Sequence, residues 1–234
     1  MNSNFHVNYS WTKDALSTNS TEQIHLLVEW SYGAIRKRRR SVPAKAVGSD
    51  LQLELKLEEG IHLKKVGGCR TTLHVGEHGG PAIRLGSLYA GCPKYAVFTF
   101  EVEPHATGRI LAVSMEWSMR KPDQPLNTVV RADPLFLQFT THLGLLQNAP
   151  NPRVEKYVKI SDSPCLVKEA VKAFDQGDPA KGDFLLRRRA DELLILAARS
   201  GDPDYLIESE TIEKLQQLLD ATLDPDLFIK VKGF

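Results

Sequence analysis

Residues 51–57 read Leu-Gln-Leu-Glu-Leu-Lys-Leu, with leucine at every second place and a polar residue between each pair. A period of two is the spacing of a strand, whose successive side chains leave on opposite faces. This stretch therefore has one side in a core and the other in water. Glu58, Glu59 and Gly60 make a turn, and Ile61, His62 and Leu63 resume the alternation. Beyond a glycine-rich interval, residues 94–102 and 109–117 supply two more long strands. Upstream, Phe5, Val7, Tyr9 and Trp11 alternate with polar residues as a strand with an aromatic face. Residues 12–21, rich in Ser, Thr and Asn, read as a loop. Residues 23–30 are nearly continuous in apolar character, which predicts a strand covered on both faces. Residues 121–125 read as a turn, and 126–132 and 135–140 as two strands broken by Asp133-Pro134. About nine strands at short spacing, with no helical pattern between them, predict an antiparallel sandwich or barrel rather than parallel α/β.

At about Gly144 the period changes. Asn151-Pro152 is a helix start, with Asn as the cap and Pro at the first helical position. Val154, Tyr157, Val158, Ala170, Val171 and Phe174 follow at helical spacing, and Pro164 is expected to kink or divide this helix. Gly177-Asp178-Pro179 and Gly201-Asp202-Pro203 repeat one punctuation: Gly ends a helix, Asp caps the next, and Pro opens it. Between them Leu186, Ala190, Leu193, Leu194 and Ala197 make an apolar stripe, broadened by Leu185, Ile195 and Leu196 towards a second contact. Ile212, Leu215, Leu218 and Leu219 make the last stripe. Residues 227–231 fit either a strand or a tail. The fold class is therefore α+β: an antiparallel β-sandwich over residues 1–141, a linker at 142–150, a three-helix antiparallel bundle at 151–222 and a tail from 223 to 234.

The formal charge of +1 gives no overall pull towards nucleic acid or anionic membrane, so such binding requires a local patch. No apolar run approaches the roughly 20 residues of a membrane span. The first residues have neither the basic start nor the apolar centre of a signal peptide. Cys69, Cys92 and Cys165 are too few for a disulfide framework, and a reducing cytoplasm is the simplest expectation. The local patch is Arg36, Lys37, Arg38, Arg39 and Arg40, inside a basic linker spanning 33–49. Such a run reads first as a solvated connection, because like charges repel. Its alternative is a phosphate-binding patch, which lacks interleaved aromatic residues for stacking bases.

Cys69, His74, His78 and Cys92 are zinc-ligand types. The four-residue spacing of His74 and His78 needs a helix to put both on one side, and Gly76, Gly79 and Gly80 oppose a helix there. No Cys-x-x-Cys pair is present, so half-buried thiols and loop histidines are the plainer reading. Cys165 has no marked basic neighbour and reads as a core or surface thiol. Arg187, Arg188 and Arg189 scatter round a helix as a solvated flank near Asp191 or Glu192. The glycine pairs match neither a phosphate loop nor a dinucleotide fingerprint. The expectation is a chain with no catalytic residue, no cofactor and no metal.

Residues 21–30, the 51–61 segment, the run Arg84-Leu85-Gly86-Ser87-Leu88-Tyr89-Ala90-Gly91 with the strand to Val102, and the Gly177-Asp178 and Gly201-Asp202 helices together carry a resemblance. The chain resembles bacterial von Willebrand factor A (VWA) domain-containing proteins related to the inter-alpha-trypsin inhibitor heavy chains. That resemblance implies a β-sandwich interrupted by an inserted VWA domain and followed by a helical segment. It also implies protein partners, often in multiprotein assemblies and sometimes AAA-type ATPases. The Asp-x-Ser-x-Ser metal site of a VWA domain does not occur, since Ser161-Asp162-Ser163 runs into Pro164 and Cys165. The inserted domain would fall between Trp30 and Asp50, where the basic linker stands, and its two stumps must lie close together. The resulting expectation is a non-enzymatic scaffold or adaptor working through protein–protein interaction, with a nucleic-acid or anionic-surface module using residues 36–40 as the alternative.

Overall fold

The computed structural model describes residues 4–33, 46–68, 72–76, 79–120 and 127–223. It divides into two compact units, Met1–Ser161 and Asp162–Phe234. The first holds ten strands among its described residues: β1 (Phe5–Trp11), β2 (Ala15–Ser17), β3 (Glu22–Tyr32), β4 (Ala46–Leu57), β5 (Ile61–Gly67), β6 (Thr72–Val75), β7 (Pro81–Tyr89), β8 (Lys94–Val102), β9 (Gly108–Arg120) and β10 (Asn127–Thr140). They form a four-stranded sheet in the order β1-β3-β8-β5 and a six-stranded sheet in the order β2-β10-β9-β4-β7-β6. Every strand pairing is antiparallel except that of β2 with β10.

The leucines that alternate in sequence do what their period requires. Leu51, Leu53 and Leu55 are buried, and Leu57 packs at the margin of the same core. They meet Leu26, Val28, Trp30, Phe98 and Phe100 from one sheet and Trp117 and Phe139 from their own. β3 is covered on both faces, as its composition predicts. Leu26 and Val28 enter the space between the sheets, while Leu27 joins Val97 in a second cluster with Val154 of a helix, α2 (Pro152–Asp175). Tyr157 lies against Tyr95 there, with ring centroids 4.4 Å apart, and Arg153 Nη2 meets Glu29 Oε1 at 2.7 Å. A short helix, α1 (Leu143–Leu146), lies inside the 142–150 segment.

β4 and β5, adjacent in sequence, belong to different sheets, so the Glu58-Glu59-Gly60 turn carries the chain across the end of the sandwich. Three local expectations change. Residues 126–132 and 135–140 are not two strands, because β10 runs unbroken through Asp133-Pro134, paired with Met115 and Ser114. Proline is tolerated there because β2 reaches only Gln138 to Thr140, leaving this part of β10 with one partner strand among the described residues. The 12–21 loop contains β2, whose Ala15 and Leu16 are buried; three residues are too few to show a period. Residues 46–49 of the basic linker belong to β4, displaced in register by bulges at which Asp50 takes φ +53°.

The second unit contains the rest of α2, then α3 (Pro179–Ser200) and α4 (Pro203–Leu223). Asn151 caps α2 through Oδ1, which accepts from Arg153 N at 3.0 Å. Pro164 does not divide α2, which is one helix throughout. Gly177 and Gly201 take φ of +80° and +69°, and the Asp178 and Asp202 carboxylates accept from Lys181 N and Asp204 N. α3 and α4 pack together through Leu186, Ala190, Leu193, Tyr205 and Ile212, with Ser209 Oγ donating to the Ala190 carbonyl at 2.9 Å. Gln216 Nε2 donates to Asp183 across the same interface. Gly182 is needed where α3 passes α2: a Cβ there would lie 2.6 Å from the Phe174 ring.

Candidate functional site

The sequence candidates do not converge. Arg36, Lys37, Arg38, Arg39 and Arg40 lie outside the described residues, as do Cys69 and His78, the 121–125 turn and residues 227–231. His74 stands on β6 with Nδ1 3.4 Å from the Thr72 carbonyl, and Cys92 is half-buried in the turn between β7 and β8. Among the described residues no three His, Cys, Asp or Glu side chains are grouped to hold a metal ion. Cys165 is exposed on α2. The arginine triplet is only partly the solvated flank expected. Arg187 and Arg188 pair on the surface with Asp183 and Glu192, but Arg189 is 6% exposed. Arg189 donates from Nε to Ser163 Oγ at 3.2 Å and from Nη1 to Glu192 Oε2 at 3.2 Å.

Three features appear that no motif announced. A polar tie joins the two sheets: Trp117 Nε1 donates to the Tyr9 hydroxyl at 2.8 Å, which donates to Asp133 Oδ2 at 2.7 Å. Arg131 Nε donates to the same oxygen at 2.5 Å. Burial, and next the hydrogen bond to Asp133, hold the Tyr9 phenol well above its ordinary pKa; Arg131's own hydrogen bond to Asp133 raises the guanidinium. The tie is structural: it pins β1 of one sheet to β9 and β10 of the other. An inward-facing aspartate beside a proline in an apolar strand was the available signal for it.

The second feature is an open cleft of about 580 Å³ at the end of the sandwich, lined by Glu58, Glu59, Glu103, His105, Ile110 and Leu111 among others. His62 Nε2 meets Glu103 Oε1 at 3.1 Å, and the buried Nε2 of His105 has no hydrogen-bond partner. The third is the helical pair, where Phe184, Leu194, Ile195, Leu206, Ile207 and Leu218 are exposed. Leu194 and Leu218 were expected inside; they are 46% and 65% exposed. Residues on the edges of a helical stripe lie up to about 60° from its centre, so spacing alone does not decide which are covered.

The corner that would receive an insertion is also defined. Tyr32, at the end of β3, bridges Ala90, and its carbonyl accepts from Gly91 N at 2.8 Å. Ala46, at the start of β4, pairs with Tyr89. Trp30 and Asp50 are thus on strands of different sheets that do not pair with one another, yet both stretches of chain return to one corner.

No family model matches the sequence, and no curated protein matches it. Among solved structures, one described as von Willebrand factor type A from Catenulispora acidiphila is similar at a TM-score of 0.51 and 20% identity, over 68% of this chain. The chain spans 38% of that protein's length. The two share a fold. The N-terminal domain of the Streptococcus gordonii adhesin Sgo0707 aligns at a TM-score of 0.38 and 5% identity, over 57% of this chain and 32% of that one. A collagen-binding domain from a Staphylococcus aureus adhesin aligns at 0.32 and 9%, over 56% and 96%. Those two likenesses are too slight to build on. No described helix is long and apolar enough to cross a membrane.

Proposed function

We propose that this chain is a non-enzymatic scaffold or adaptor that works through protein–protein interaction. The observation that carries this reading is the helical pair, which leaves Phe184, Ile195, Ile207 and Leu218 in water on helices that already bury another face. Apolar groups grouped on a surface gain free energy when a partner covers them, which is how helix faces bind. The shared fold with the Catenulispora structure supports a VWA-protein-like sandwich, and the kinship to inter-alpha-trypsin inhibitor heavy chains is part of the same proposal. In that reading the basic linker of residues 33–49, between Trp30 and Asp50, stands where a VWA domain is inserted in relatives. The return of Tyr32 and Ala46 to the corner formed by Tyr89, Ala90 and Gly91 supports it, because an insertion needs its two ends close together. The partners would be cytoplasmic proteins, within a larger assembly that can include an AAA-type ATPase.

Affinity purification of the full chain from its own cells, followed by mass spectrometry, tests the reading. The expected result is a defined set of proteins whose recovery falls when Ile207 and Leu218 are made polar. Turnover of a substrate by the isolated chain, with no partner recovered, would overturn it.

A further inference from the structure

On α4, Ile207, Thr211, Lys214 and Leu218 recur at four, three and four residues, the repeat that keeps side chains on one helix face. This face is opposite the one that buries Tyr205, Ser209 and Ile212 against α3. Ile207 is 59% exposed and Leu218 65%, with Leu206 exposed at the flank. The two apolar ends are three turns apart, about 16 Å along the axis. The charges around them are one-sided. Asp204, Glu208, Glu210 and Glu213 stand on α4 with Lys214 as the counter-charge, its Nζ 4.0 Å from Glu210 Oε2.

A helix face with an apolar residue at each end and carboxylates along its rim selects its partner by sign. A helix carrying Lys or Arg beside its own stripe gains attraction at the rim, and one carrying Glu or Asp meets repulsion. We propose that the outer face of α4 docks a basic amphipathic helix of a partner protein. Such a helix presents apolar side chains three turns apart to Ile207 and Leu218, with Lys or Arg facing Glu208 and Glu210. This deepens the protein-interaction reading and rests on it. A second copy of this chain is disfavoured as the occupant, because α4 would meet an equally acidic α4 in a symmetric contact.

Two synthetic helical peptides of about 21 residues, with identical leucine stripes and either Lys or Glu at the flanking positions, serve as probes. Fluorescence anisotropy against the full chain is expected to show the Lys peptide binding at least about tenfold tighter than the Glu peptide, weakening as salt rises from about 50 to 300 mM. Ile207→Gln with Leu218→Gln is expected to abolish that binding, and Glu208→Lys with Glu210→Lys to reverse the preference. Ile207, Leu218 and Glu210 are exposed and Glu208 is half-buried, and unchanged circular dichroism would show that the variants remain folded. Equal binding of the two peptides, binding that survives the glutamine variant, or self-association through α4 in light scattering would each overturn the proposal. A photo-crosslinking residue placed at position 218 or, separately, at position 75 on β6 distinguishes the two levels. Adducts from position 75 alone would sink the α4 site and leave the interaction reading intact, whereas adducts from neither would sink both.

Discussion

Trp30, Phe98, Phe100 and Trp117 are all buried between the two sheets, whereas Phe184, Ile195, Ile207 and Leu218 on α3 and α4 remain in water. The contrast follows from geometry. A sheet presents a broad face, so a second sheet covers every inward residue of every strand at once. A helix in a pair touches its neighbour along one stripe, and apolar residues beyond that stripe need a further layer. The sandwich leaves large apolar residues in water too: Leu73 and Val75 on the edge strand β6, and Leu111, Val129 and Phe136 on the outward side of β9 and β10, the side no second sheet covers.

The contrast is broken most severely by emptying the sandwich core. Phe98→Ala removes a fully buried ring and should cost about 3–5 kcal/mol, seen as a lower urea midpoint by tryptophan fluorescence. That signal is local to the sandwich, since the protein's three tryptophans, Trp11, Trp30 and Trp117, all lie in it. A loss below about 1 kcal/mol would mean that the inter-sheet packing is loose. Gly182→Val tests the helical unit by overfilling it: the added carbons would strike the Phe174 ring and should cost about 1–3 kcal/mol, read from the helical signal at 222 nm. An unchanged midpoint would show that α2 and α3 separate freely at this point.

Tyr9→Phe removes the hydroxyl between Trp117 Nε1 and Asp133 and should cost about 1–3 kcal/mol at neutral pH, because it strands a largely buried donor. The same residue gives a pH signature of known sign. Its folded pKa is raised, so its contribution is fully present below the unfolded phenol value near 10 and is lost as pH rises above it. Between about pH 9 and 11 the wild-type midpoint should fall more steeply than that of Tyr9→Phe; parallel curves would remove Tyr9 from the account. The smallest effect belongs to Leu218→Gln, expected to change stability by less than about 0.5 kcal/mol, since the residue is already in water. A loss of about 2 kcal/mol would mean that α4's outer face is covered within the molecule.

Alternation and punctuation were legible in the sequence because both are local. The leucines of residues 51–57, the double-faced strand at 23–30 and the Gly-Asp-Pro breaks each depend only on side-chain direction or on φ and capping at neighbouring residues. Which strands pair is a matter of long-range packing, and here only tertiary structure decided. It sent β4 and β5 to different sheets, let Pro134 pass within β10, and brought Tyr32 and Ala46 to one corner. It also assembled Trp117, Tyr9, Asp133 and Arg131 from three strands, turned Arg189 inward and left Leu218 outside. Period fixes the direction in which a side chain points; what waits for it there is set by chain far away in sequence.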